Sequence, residues 1–260
     1  MYSTITYITD KIERAKELDF GNIFSEAIDL FKKTWVQGFI MQLFMLILML
    51  PFFIIFYIPF VMMVISESQS GYGDPYAFET FFAGFSILYT ILFLAGVLVL
   101  SAVSVCLNAA LYRIIRDIDH GKDVKTNDFF YFLKGKYLSK AFVLVLLSML
   151  IAVVAMILCY LPIFYVMVPL TFLTVMFAFN PELTPSELVK VSFKLGNKKW
   201  LISFGLIIVS SILASVVGFL LCGIGSLFTA AFVYHPVYLI YKEVIGFEDE
   251  VESDSLISFS

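Results

Sequence analysis

Few side chains here are equipped for chemistry, and they stand apart from one another. The two histidines are His120, in RDIDHGKD, and His235, in AAFVYHPVYLIY. His120 has Asp117, Asp119 and Asp123 as close neighbours, a composition that metal sites share. The spacing matches neither a calcium loop nor a zinc motif, and a solvated helix end with Gly121 as its stop accounts for the run. His235 lies inside an apolar stretch, directly before Pro236. Two readings are open for it. One is a proton-sensitive or ligand-binding group at a kink. The other is a neutral imidazole bonded to a carbonyl that the proline leaves free. The second is favoured, because a lone histidine with no carboxylate partner makes a poor relay. Asn108 and Gln42 are amides near the ends of apolar runs, where bonding between helices is the ordinary role. Asn108 joins His235 as a candidate intramembrane polar site. Cys106, Cys159 and Cys222 form no CxxC pair, and only Cys159 and Cys222 fall where two of them could approach as a disulfide. No Gly-rich phosphate loop, GxSxG elbow or HExxH motif occurs, so the sequence calls for no cofactor and no metal.

The elements that must carry these groups are apolar. Of 260 residues, 61% are hydrophobic and only 15% charged, whereas soluble domains carry about a quarter charged. A bilayer span needs about 20 consecutive apolar residues. Six runs meet or approach that length, at about 39–65, 82–112, 141–159, 163–179, 201–221 and 226–241. The first contains Pro51 and Pro59, which predict a kink or break. None of Asp, Glu, Lys or Arg stands within the six runs. The expected fold is an all-α polytopic bundle of six transmembrane helices in a single domain, 1–242, followed by an acidic tail, 243–260. Charges run through the first 38 residues, so no cleavable signal peptide is expected.

Basic residues set the orientation. The stretch before the first run, the loop 113–140, the loop between the fourth and fifth runs, and Lys242 after the sixth hold all 17 Lys and Arg. The opposite loops hold none, which places both termini and the long loops in the cytoplasm. Nucleic-acid binding gains no support, because these charges already serve orientation.

Each pair of runs follows an amphipathic segment with basic and aromatic residues. The segments are SEAIDLFKKTW, TNDFFYFLKGKY and SELVKVSFKLGNKKW. The pattern is that of a threefold repeat, each unit an interfacial helix and a transmembrane hairpin; shared membrane anchors alone would produce much of it. Asp29 and Lys33 have the spacing of an i,i+4 ion pair. The third segment is the best defined. Thr184 and Glu187 have capping-box spacing, Pro185 suits the first helical position, and Gly196 suits a left-handed stop. Leu188, Val191 and Leu195 share one face, Lys190 and Lys194 the other. Candidate headgroup or interfacial contacts are Lys32, Lys33, Trp35, Arg113, Arg116, Lys190, Lys194, Lys198, Lys199 and Trp200. Arg113 and Arg116, one turn apart, fit lipid phosphate, the acidic segment FEDEVESD, or plain snorkelling anchors.

SEAIDLFKKTW, ALYRIIRDIDHGK, SELVKVSFKLGNKKWLISFGLIIVSSIL and LLCGIGSLFTAAFVYHPVYLIYKE resemble bacterial six-span proteins of the DUF975-type and YciC-like groups. They are also similar to the membrane domain of some glycerophosphodiester phosphodiesterases. The resemblance implies a protein of the bacterial cytoplasmic (inner) membrane and carries no catalytic residue. The expected role is non-enzymatic: a scaffold, an envelope-homeostasis factor or a partner subunit, contacting membrane lipids and a protein partner or a second copy. A transporter or permease for a lipid, peptide or other amphipathic solute is the alternative, motivated by the proline-interrupted runs.

Overall fold

The computed structural model describes residues 4–70, 87–158, 161–221 and 223–247, and these are mostly helical with no strand among them. In chain order they form α1 (Thr4–Glu13), α2 (Phe20–Ser70), α3 (Ile87–Asp119), a 3-10 helix (Thr126–Leu133), α4 (Gly135–Ile157), α5 (Leu161–Phe179), α6 (Pro185–Lys198), α7 (Trp200–Leu220), α8 (Ser226–Thr229), a second 3-10 turn (Ala230–Val233) and α9 (Tyr234–Val244). Among the described residues, five helical stretches are long and apolar enough to cross a membrane: Phe20–Ile58, Tyr89–Asp119, Gly135–Ile157, Pro162–Phe179 and Trp200–Leu220. Cys159, Cys222, the loop 71–86 and the tail from 248 lie outside the described residues, as does the disulfide option.

The first amphipathic segment and the first run are one element. α2 continues for 51 residues, about 75 Å at 1.5 Å per residue. Gly38 does not interrupt it: a Cβ there would come 2.5 Å from the Ala231 Cβ, so the glycine admits a close approach. Pro51 and Pro59 do not end it either. Each proline removes one ladder bond, but in apolar surroundings no water competes for the others, and the helix persists.

The run 226–241 is divided. Pro236 has no N–H for the Phe232 carbonyl, and its ring crowds that oxygen. The chain tightens into the 3-10 turn just before it, leaving α9 with 11 residues. Nearly all of α9 is buried, from His235 to Tyr241 and Val244. The second amphipathic segment is likewise a 3-10 helix, with Phe129 and Phe132 turned into the core.

α6 has the predicted capping box. The Thr184 N–H donates to Glu187 Oε2 at 2.8 Å, and Glu187 N–H donates to Thr184 Oγ1 at 3.4 Å. Leu188, Val191 and Leu195 are buried and Lys190 is exposed. Protein covers that apolar face. α6 runs antiparallel to α5, with Gly196 against Pro169 and Asn197 Oδ1 accepting from the Tyr165 hydroxyl at 2.6 Å. Gly196 is therefore no stop. The helix continues to Lys198, and a Cβ at 196 would lie 2.7 Å from Pro169 Cγ and 2.8 Å from its Cα. Gly121 does stop α3, with φ of 69°. Lys122 N–H bonds Asp117 O and Gly121 N–H bonds Ile118 O, the paired bonds of a Schellman turn.

Burial divides along the helices. In α2 the buried residues run from Ile23 to Met41, and the exposed large apolar ones, apart from Phe20, Trp35 and Val36, from Leu46 to Ile65. α3 reverses this, exposed at Ile87–Val99 and buried at Ala102–Ile115. The late part of α4 and of α7 also exposes Leu, Val, Ile and Met. Singly, such residues are normal on a surface; continuous stretches on several helices mark a face suited to lipid. Ser210, Ala214 and Gly218 on α7 are spaced four apart. This small-residue stripe admits α8, whose Thr229 hydroxyl donates to Ala214 O at 2.8 Å.

Candidate functional site

A cleft with apolar walls and a few polar groups lies between antiparallel α2 and α3. Two helical faces line it. α2 gives Met41, Gln42, Met45, Leu48, Met49 and Phe52; α3 gives Val97, Leu100, Ser101, Ser104, Val105 and Asn108. Val145 and Tyr234 complete the walls of a 530 Å³ cavity. Its volume lies within the range of small-ligand pockets, about 300–1,000 Å³. Helical periodicity explains the lining: positions 101, 104 and 108 recur on one side of α3, as 41, 45, 48 and 52 do on α2. Among the described residues, Gln42, Ser101 and Ser104 make no side-chain hydrogen bond, and Asn108 Oδ1 is buried without a partner. The sequence singled out Asn108 and Gln42 but missed the serines. The signal was available, since a polar residue at i, i+3 and i+7 within an apolar helix is expensive and directional.

His235 is placed elsewhere. Its Nδ1 lies 3.1 Å from Ala231 O and 3.2 Å from Phe232 O, the latter being the carbonyl that Pro236 frees. Two acceptors face Nδ1, so Nδ1 carries the proton. Nε2 then accepts from the Thr34 hydroxyl at 2.6 Å, joining α9 to α2. Phe31 meets the ring edge-on at 5.4 Å. His235 and Asn108 thus have separate surroundings, although Tyr234, adjacent to His235, lines the cleft with Asn108.

The arginines turn into the protein. Arg113 lies 4.0 Å over the Tyr131 ring, a cation–π contact that fixes the 3-10 helix to α3. Arg116 bonds Asp117 through Nε at 3.2 Å and Nη2 at 2.9 Å, and it lies near the Phe179 and Phe247 rings. It also lines a 320 Å³ cavity with Tyr7, Asn180, Glu182 and Tyr241. Asn180 is buried, and its Nδ2 donates to Tyr241 Oη at 2.9 Å. Asp119 Oδ2 accepts from the Tyr238 hydroxyl at 2.8 Å and from Lys242 Nζ at 2.7 Å, latching α9 to the end of α3. His120 Nδ1 is 2.7 Å from Arg116 O, and no group of three metal-ligating side chains occurs among the described residues.

The candidate interfacial residues divide. Lys32 pairs with Asp29 at 2.8 Å, so the predicted Asp29–Lys33 pair forms one residue earlier, and Lys33 stays exposed. Trp35 is 43% exposed beside Phe228, and Lys190 and Lys198 are exposed. Lys194 pairs with Glu13 of α1 at 2.5 Å, a bond that holds the Glu13 carboxyl below the usual glutamate range. Lys199 is buried and donates to Lys16 O; burial lowers its pKa. Trp200 Nε1 donates to Tyr165 O at 3.1 Å. Sequence spacing cannot separate a lysine that faces headgroups from one that closes a tertiary bond.

No protein-family model, no curated protein and no solved structure matches the chain.

Proposed function

We propose that the chain is a multi-pass protein of the bacterial cytoplasmic membrane, both termini inside, acting as a scaffold or partner subunit rather than as an enzyme. Six crossings, the last formed by the divided segment 226–244, and descent from a threefold repeat belong to this reading. So does kinship with the DUF975-type and YciC-like groups. One observation supports it above the others. The segments that precede each apolar pair turn part of their apolar face into a shared core, through Ala27 and Leu30, Phe129 and Phe132, and Leu188, Val191 and Leu195, leaving Lys33, Lys190 and Lys198 outward. A folded platform with charged faces, held against a membrane by lipid-facing helices, suits docking of a protein partner or a second copy. The test is purification of the full chain in mild detergent, alongside Lys190→Glu/Lys198→Glu. A stoichiometric partner or dimer that the charge reversal dissociates supports the reading. Recovery of the wild-type chain alone, with no partner or lipid class enriched, counts against it.

The α2–α3 cleft favours a second reading, a permease for an amphipathic solute, since it joins unpaired polar groups to apolar walls. Transbilayer movement of a labelled lipid or peptide in vesicles containing the purified chain tests it.

A further inference from the structure

We infer that the α2–α3 cleft is a binding site for a membrane lipid with an uncharged, hydroxyl-bearing head, of diacylglycerol type, whose chain lies along Met45 and Met49. The inference deepens the permease reading by naming its ligand, and it asks for binding without requiring movement.

Three observations carry it. First, the polar groups are unspent. Ser101 and Ser104 stand within α3. Some helical hydroxyls here bond the carbonyl four residues back, Thr171 to Met167, Ser192 to Leu188 and Ser211 to Ile207, whereas Ser203 and Ser210 on α7 are buried with no partner among the described residues. Ser101 and Ser104 make no such bond, nor does Gln42 make any side-chain bond among the described residues. Polar groups left unpaired in apolar surroundings are costly, and a ligand that pairs them recovers that cost. Second, the lining excludes charge. Among the described residues that line the cleft, none is ionised at neutral pH, so a phosphate head would enter with no counter-charge. Hydroxyls and amides each donate and accept, which matches an alcohol or ester. Third, the walls adapt to chain shape. Met41, Met45 and Met49 repeat every four residues along one side of α2, and unbranched thioethers fill irregular space. Met49 is 57% exposed, and Leu46, Leu50 and Phe53 beside it are exposed too, so the cleft borders the surface suited to lipid.

The test uses the full chain in phosphatidylethanolamine–phosphatidylglycerol vesicles doped with a trace of photoactivatable diacylglycerol, or with phosphatidylglycerol bearing the same photoactivatable chain. The expected result is preferential labelling by diacylglycerol of peptides containing Met41–Met49 and Val97–Asn108. Ser101→Ala/Ser104→Ala should lower that labelling about tenfold, since two hydrogen bonds are removed. Alanine keeps the helix, so this variant tests the site without threatening the fold. Ser101→Leu, which fills the cleft, should abolish labelling. Equal labelling by both lipids, preference for phosphatidylglycerol, or labelling unchanged by the alanine pair would overturn the proposal. Photocrosslinks between two copies through Met45 or Met49 would overturn it as well, by assigning the cleft to an interface. Specific labelling without transbilayer movement supports the site and removes the permease reading; movement without specific labelling removes the site alone.

Discussion

Gly196→Ala separates two placements of α6, against α5 or away from it. In an open helix the change stabilises, because alanine is favoured over glycine by about 1 kcal/mol in a helix interior. Here the new Cβ would lie 2.7 Å from Pro169 Cγ and 2.8 Å from Pro169 Cα. The ring atom can yield, but the backbone atom moves only if α5 and α6 separate. Overpacking costs about 1–3 kcal/mol, and a backbone clash belongs at the upper end. Subtracting the propensity gain leaves a net loss of about 2 kcal/mol. For a chain of this size that lowers Tm by about 4–8 °C. The assay is thermal unfolding in mild detergent, followed by the fluorescence of Trp200, whose indole bonds the Tyr165 carbonyl on the same interface. Gly135→Ala is the control, since nothing stands within 4 Å of a Cβ there. Pro169→Ala in the Gly196→Ala background should restore part of the loss, because it removes the Cγ contact and not the Cα one. A Gly196→Ala protein as stable as wild type, or more so, would refute the packing of α6 on α5.

Thr184→Ala removes the hydroxyl of the capping box and should cost about 1 kcal/mol in the same melt, while Thr184→Ser restores most of it. The Thr184 backbone N–H holds the Glu187 carboxyl below its usual range, so its contribution is full above the unfolded pKa and is lost as pH falls through the folded one. Melting points should therefore fall more steeply below about pH 4 for wild type than for Glu187→Gln. Asp119→Ala breaks the bonds from Tyr238 and Lys242 and should destabilise by about 1–3 kcal/mol, with Asp119→Asn milder, as read from Tm. His235→Phe and Thr34→Val should each destabilise, and their double-mutant cycle should show coupling of about 1 kcal/mol; strict additivity would deny the 2.6 Å bond between them.

Local features were legible in the sequence, and partners in space were not. The starts and ends of α5 and α7, and the end of α4, follow the apolar runs closely, because those runs differ so strongly from their flanks; α4 starts at Gly135, six residues before its run. Thr184-Pro185 and Glu187 announce the start of α6, since a capping box involves only neighbours along the chain. Gly196 misled because the reason for a glycine there lies at Pro169, 27 residues away and on another helix. The close approach at Gly38 was hidden for the same reason, since its partner Ala231 lies far along the chain. Periodicity identified which face of α6 is apolar but not whether lipid or protein covers it. The α2–α3 cleft was half visible. Gln42 and Asn108 stood out as amides, whereas serines pass for ordinary helix residues until they fail to bond their own backbone.

The length of α2 gives the molecule a lever. Its first half is gripped by Phe232, Ala231 and His235, while its second half carries the exposed apolar side chains from Leu46 onward. A helix longer than a bilayer is thick meets a change in thickness by tilting. Over about 75 Å, a tilt of about 5° displaces the far end by about 6 Å. The contacts around Thr34 and His235 hold the first half to α9, and the ladder bonds missing at Pro51 and Pro59 leave the second half the freer part to bend as the lipid changes thickness.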